Sequence, residues 1–169
     1  MSSVDLNRIP PFYHGYVKLV KEPDLPSALE QHQHNLLNLL RSLPDDKWDY
    51  SYAPGKWTIK DLVQHLIDGE RIFAYRALRF ARKDTTPLPG FDENLYASSA
   101  NAGKRSSEDL LNELEIVQKS SALLFASFTE EQLESSGIAN NNAIYVAGIG
   151  YAIVGHTIHH MNVIKERYL

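Results

Sequence analysis

No cysteine occurs in the 169 residues. That excludes disulfides, thiolate metal sites and a cysteine nucleophile, and it leaves histidine and the carboxylates as the strong metal ligands. An excess of either charge is lacking too: 17 Lys and Arg stand against 21 Asp and Glu, a formal net charge of -4. Such a balance makes nucleic acid a poor partner, and none is expected. Nowhere do eighteen apolar residues run together, so no membrane partner is expected. The segment Met1–Arg8 has no apolar core of a signal peptide, and a cytoplasmic location is the expectation. Gly-x-Ser-x-Gly, a phosphate-binding loop and His-Glu-x-x-His are all absent, as are internal repeats and low-complexity segments. What is present is 43% hydrophobic and 22% charged residues, the profile of an ordinary globular domain with its own core.

Residues 1–26 carry Pro10, Pro11, Pro23 and Pro26 among Phe12, Tyr13, Tyr16 and Val17. Repeated prolines oppose a long helix, so this segment is expected to be an arm held on the body by its aromatics. Residues 27–169 then form the main domain. A first helix is predicted from Ser27, its N-cap, through Leu29, Leu36, Leu40 and Leu43 to the stop at Pro44. Within it His34 falls beside the apolar stripe and His32 on it, as a lone core histidine. A second helix, about Ile59 to Arg82, opens on Thr58-Ile-Lys-Asp61, which resembles a capping box. Periodicity is lost from Lys83 to Glu108, a length that marks a crossover or a functional loop. A third helix starts near Ser106 or Ser107; a capping box at Thr129–Gln132 and a turn between short extended pieces follow, and the last helix runs from about Tyr145 to Glu166.

Four amphipathic helices bury their stripes most simply as an all-α four-helix bundle. If the long crossover between the second and third spans the bundle, those two are parallel and the order is up-down-down-up.

The chemistry concentrates in Val154-Gly-His156-Thr-Ile-His159-His160. His156 and His160 are four apart, one turn above the other, in line with Ile149, Ile153 and Val163 and so directed inward. His159 lies on a smaller, more polar face. On the second helix His65 shares a face with Leu62, Asp68, Gly69, Ile72 and Arg76. Buried neutral imidazoles without partners cost about a few kcal/mol, which a divalent ion offsets, and His65 would complete a three-histidine set with an open fourth position. The competing reading is a structural histidine cluster hydrogen-bonded to Asp68 or to backbone.

The runs Ala53-Pro-Gly-Lys-Trp57-Thr-Ile-Lys-Asp-Leu-Val-Gln-His65, Pro87-Leu-Pro-Gly-Phe91-Asp-Glu-Asn-Leu-Tyr96 and Val154-Gly-His156-Thr-Ile-His-His160 resemble the DinB-like (YfiT-like) superfamily of metal-dependent enzymes. The resemblance covers nearly the whole chain. It implies the up-down-down-up bundle, a homodimer, and a divalent ion, typically zinc or nickel, on His65, His156 and His160. Relatives include transferases that use a low-molecular-weight thiol such as bacillithiol, a mycothiol-dependent isomerase and proteins labelled hydrolases. The leading expectation is therefore a transferase acting on a small-molecule substrate with a thiol whose pKa the metal lowers. The alternatives are a hydrolase using water in the same position, and a non-catalytic bundle whose metal or histidines are structural. Asp68 is the expected proton acceptor or ligand-orienting group. Arg76 is a candidate grip on a substrate carboxylate, and Tyr75 and Tyr151 are candidate pocket walls.

Overall fold

The computed structural model describes residues 4–169. The proline-punctuated arm forms two 3-10 turns and one turn of helix, α1 (His14–Val17). Two long helices follow, α2 (Leu25–Arg41) and α3 (Ile59–Ala81). The crossover contains α4 (Glu93–Ala100), after which α5 (Ser107–Ala126) returns to the bundle. A short α6 (Glu130–Glu134) and a hairpin, β1 (Ser136–Ala139) with β2 (Asn142–Tyr145), lead into α7 (Val146–Arg167).

Local chemistry sets these boundaries. Asp24, rather than Ser27, caps α2: its Oδ1 accepts from the Ser27 amide at 2.9 Å. Pro26 then falls in the first turn, where its missing N–H leaves no bond unmade, so the helix begins three residues earlier than an N-cap at Ser27 suggests. At α3 Thr58 and Asp61 cap each other's backbone reciprocally, a device worth about 1 kcal/mol. The hairpin turns on Asn140 and Asn141, both at positive φ (49° and 60°), the geometry in which a two-residue turn matches strand twist.

Side-chain pairs fix the helix directions. Arg105, just before α5, reaches Gln64 near the start of α3, and Arg71 pairs with Glu113 further along both, so α3 and α5 run parallel. The Tyr168 hydroxyl beyond α7 donates to the Trp57 carbonyl just before α3, so those two are antiparallel. Leu25 of α2 and Phe125 at the end of α5 both lie against Gly150 near the start of α7. Thus α2 and α7 share one direction, α3 and α5 the other: the bundle is up-down-down-up.

The core divides into two apolar clusters. One contains Leu29, Phe73, Phe125 and Ile153; the other contains Leu36, Leu66, Leu114 and Met161. Between them each long helix contributes a polar side chain: His32 from α2, Glu70 from α3, Gln118 and Ser121 from α5, and Thr157 from α7. No helix of the described residues is long and apolar enough to cross a membrane.

Candidate metal centre

His65 of α3 faces His156 and His160 of α7. His156 Nε2 lies 2.9 Å from His65 Nε2 and 2.9 Å from His160 Nε2, and ligand atoms of all three fall within 4.8 Å of one another. The turn of helix between His156 and His160 sets their rings edge to face, 4.5 Å apart. Gly69 of α3 lies beside the His156 ring: a Cβ there would stand 3.7 Å from His156 Cε1, an ordinary contact. Trp57 packs on the His65 ring at 4.7 Å, and Tyr16 of the arm packs on His156 at 5.6 Å.

Burial controls the charge of this set. It pushes the His156 imidazole well below its ordinary pKa, with His160, His65 and His159 adding like-charge opposition. The same burial takes His160 down to about 3, with His65 and His159 reinforcing it. His65 is lowered by burial and partly restored by Glu93. A neutral imidazole has a ring-nitrogen lone pair to donate, and three such nitrogens aimed at one point repel one another unless a cation lies among them. The buried His160 Nδ1 has no hydrogen-bond partner among the described residues, and the ring's one polar contact is through Nε2 to the His156 imidazole. The donor set therefore fits one divalent ion, with three protein ligands and a position left open.

A cavity of about 380 Å³ opens onto this set. Its walls come from four segments besides the two histidine helices: Phe12, Tyr13 and Tyr16 of the arm, Trp57 of the loop before α3, Phe91 and Glu93 of the crossover, and Asn140 of the hairpin. Arg76 lines it as well, only 5% exposed, and its Nη2 donates to the Pro89 carbonyl at 2.9 Å, anchoring the crossover. Burial raises the Tyr13 phenol, opposed by the Arg76 guanidinium beside it. Tyr16 is raised by burial and by Glu93.

The other candidates lie elsewhere. Asp68 does not line the cavity; its Oδ1 accepts from Gln64 at 3.0 Å and it belongs to the charged group of Arg71, Arg105 and Glu113 against α5. Tyr75 is 51% exposed and bonded to Arg79, so it is a surface residue rather than a pocket wall. Tyr151 lines a groove with Leu25, Leu133 and Tyr145 on another face of the molecule. His32 bonds to Glu22 and His34 to Asn38, away from the three-histidine set. Glu93 is the carboxylate at the cavity, and Asp92-Glu93, a helix N-cap followed by an acidic first turn, is the sequence signal that marks it.

A histidine-lined helical bundle of this topology defines a class of metal-site proteins, and comparisons with known proteins narrow it. The DinB superfamily profile matches residues 28–164, and the chain belongs to that family. A curated protein of Oceanobacillus iheyensis named "Putative metal-dependent hydrolase" is 30% identical over 139 residues, covering 81% of this chain and 79% of that one. A Bacillus licheniformis protein of the same name is 29% identical over 142 residues, with the same coverages. Among solved structures, YfiT from Bacillus subtilis, described as a probable metal-dependent hydrolase with an unusual four-helix bundle topology, superposes with a TM-score of 0.72 at 20% identity, covering 84% of this chain and 82% of that one. The mycothiol-dependent maleylpyruvate isomerase superposes with a TM-score of 0.70 at 11% identity, covering 85% of this chain and 60% of that one.

Proposed function

We propose that this protein is a metal-dependent transferase that activates a small thiol, with His65, His156 and His160 holding a divalent ion, zinc or nickel. The observation that carries the reading is the convergence of three imidazoles, with ligand atoms within 4.8 Å of one another, at a cavity of about 380 Å³. That volume takes an organic molecule rather than a water alone. When bound, the ion supplies a Lewis acid that lowers the pKa of a thiol or water beside it. A thiol as the activated group is supported by a mycothiol-dependent enzyme having the same fold.

The chain's own residues would then divide the work. Glu93 takes the S–H proton, the sulfur forms a bond to the electrophilic carbon, and the leaving group departs with its bonding pair. Arg76 has five N–H donors, directs one to the Pro89 carbonyl and faces the Tyr13 hydroxyl with another, leaving others for a carboxylate on the electrophile. Phe12, Tyr13, Phe73 and Phe91 exclude water from the apolar part of the substrate. Protein loaded with zinc or nickel and mixed with bacillithiol and monochlorobimane should consume free thiol faster than its His65→Ala variant. Equal rates would refute the transferase. The hydrolase reading is favoured by the names of the curated relatives, and it requires instead turnover of an ester or amide panel with no thiol present.

A further inference from the structure

A second recess, about 300 Å³, adjoins the first: Trp57 and His160 line both. The remainder of its lining is of another kind. The first cavity is walled by aromatics and contains Arg76 and Glu93; the second presents Lys56, Tyr52, Asn94 and His159, with no carboxylate among its lining residues. None of those four side chains has a hydrogen-bond or ion-pair partner among the described residues. The nearby Tyr168 hydroxyl, by contrast, is committed to the Trp57 carbonyl at 2.7 Å.

A specific turn puts Lys56 there. The Lys56 amide donates to the Ala53 carbonyl at 3.1 Å across Pro54-Gly55, and Gly55 sits at φ 74°. Proline at the second position and a positive-φ glycine at the third define a type II turn. The turn fixes the backbone of Lys56 and delivers Trp57 onto the His65 ring at 4.7 Å. One short loop thereby makes the partition between two recesses and supplies the cation of one of them. A site for water alone has no use for a second, cationic recess, whereas a reaction joining two molecules needs two places that meet at the reacting atoms.

We infer that the recess around Lys56 is a second substrate subsite, one that holds the carboxylate end of an acidic thiol while its sulfur reaches the three-histidine set. The inference rests on the proposed thiol chemistry. Lys56 gives the charge, and Asn94 and Tyr52 offer N–H and O–H donors to the carboxylate oxygens. The electrophile occupies the aromatic cavity on the other side of Trp57.

Calorimetry on the zinc-loaded protein tests this with three probes: mercaptosuccinate, 2-mercaptoethanol and succinate. Lys56→Met should weaken mercaptosuccinate about three- to fivefold, the size of one exposed charge pair, and Lys56→Arg should restore it. Binding of 2-mercaptoethanol should not change, and raising salt should weaken only the acidic probes. Unchanged mercaptosuccinate affinity in Lys56→Met, an equal loss for the neutral thiol, or no binding of either acidic probe would overturn the subsite. If both thiols bind without dependence on Lys56, the subsite falls and the thiol reading stands. If succinate alone binds and depends on Lys56, the anion site stands and the thiol reading falls.

Discussion

The imidazole of His160 has two environments to choose between, protonated in water or neutral in the bundle, and the protein enforces the second. Its folded-state pKa, about 3, lies far below that of an exposed histidine. The unfolded chain therefore binds more protons than the folded one between about pH 6.5 and 3, so stability is full above that window and falls as pH drops through it. Each such histidine contributes a slope of about 1.4 kcal/mol per pH unit. His156, lowered for the same reason, adds to it. In metal-free protein, denaturant unfolding between pH 6 and 4 should lose stability steeply, and His160→Gln should reduce the slope by about one proton's worth. An unaltered slope in the variant would show that His160 is not held neutral. Arg76 was legible at this scale and the two tyrosines were not, for an angular reason. Arg76 is eleven residues from His65 and returns to within about 20° of it on a helix. Tyr75 lies about 80° away, and Tyr151, five residues before His156, faces about 140° from it.

The long helices share one device, a polar residue between two apolar clusters, and Glu70 is its charged member. Burial raises the Glu70 carboxyl to about 7, opposed by the Ser121 hydroxyl. A raised carboxyl pKa means that the folded state binds more protons between about pH 4.5 and 7, so this group stabilises at low pH and costs stability as pH rises through 7. The opposite signs of Glu70 and the histidines leave the greatest stability near pH 6–7. Glu70→Gln keeps the shape and removes the titration. At pH 8 the variant should be more stable than the parent, by up to about 3 kcal/mol, with the gain vanishing near pH 5. Urea titrations at the two pH values measure it. At α7 the arm depends on Gly155, because a Cβ there would stand 2.2 Å from the Tyr16 carbonyl oxygen. Gly155→Ala should displace the arm, cost about 1–3 kcal/mol in thermal unfolding, and expose Tyr16 to solvent by fluorescence quenching. The long helices, the caps at Thr58 and Thr129 and the inward histidine pair were readable because each rests on residues at most four apart, whereas the cap of α2 falls at Asp24 and not at Ser27. The arm's approach to His156 was not readable, because it joins segments separated by most of the chain, and Asp92-Glu93 marks the start of a short helix without a local period that places it at the cavity. Asp68 illustrates the intermediate case: three residues from His65 it shares the broad face, but at about 60° it turns instead toward α5.

At the level of the whole molecule, the histidine set bridges α3 and α7 at a point where the arm, the crossover and the hairpin also converge. A ligand held only by the folded arrangement stabilises all of these segments together, by RT ln(1 + [L]/Kd). At a free-metal concentration a hundred times Kd that is about 2.7 kcal/mol, and for a domain of this size it raises the melting temperature by about 5–10 °C. Zinc or nickel added to chelator-treated protein should produce a shift of that order that grows with metal concentration. His65→Ala, His156→Ala and His160→Ala should each abolish it, since each removes one of three ligands. His159 stands on the neighbouring face and packs on Tyr16 at 5.1 Å, so His159→Ala should lower the starting temperature modestly while retaining the metal-induced rise. The contrast separates ligation from packing: loss of histidine bulk alone would affect His159→Ala and His160→Ala alike. A parent protein that does not respond to either metal, or a His65→Ala variant that responds as fully as the parent, would remove the metal centre from this fold and the proposed chemistry with it.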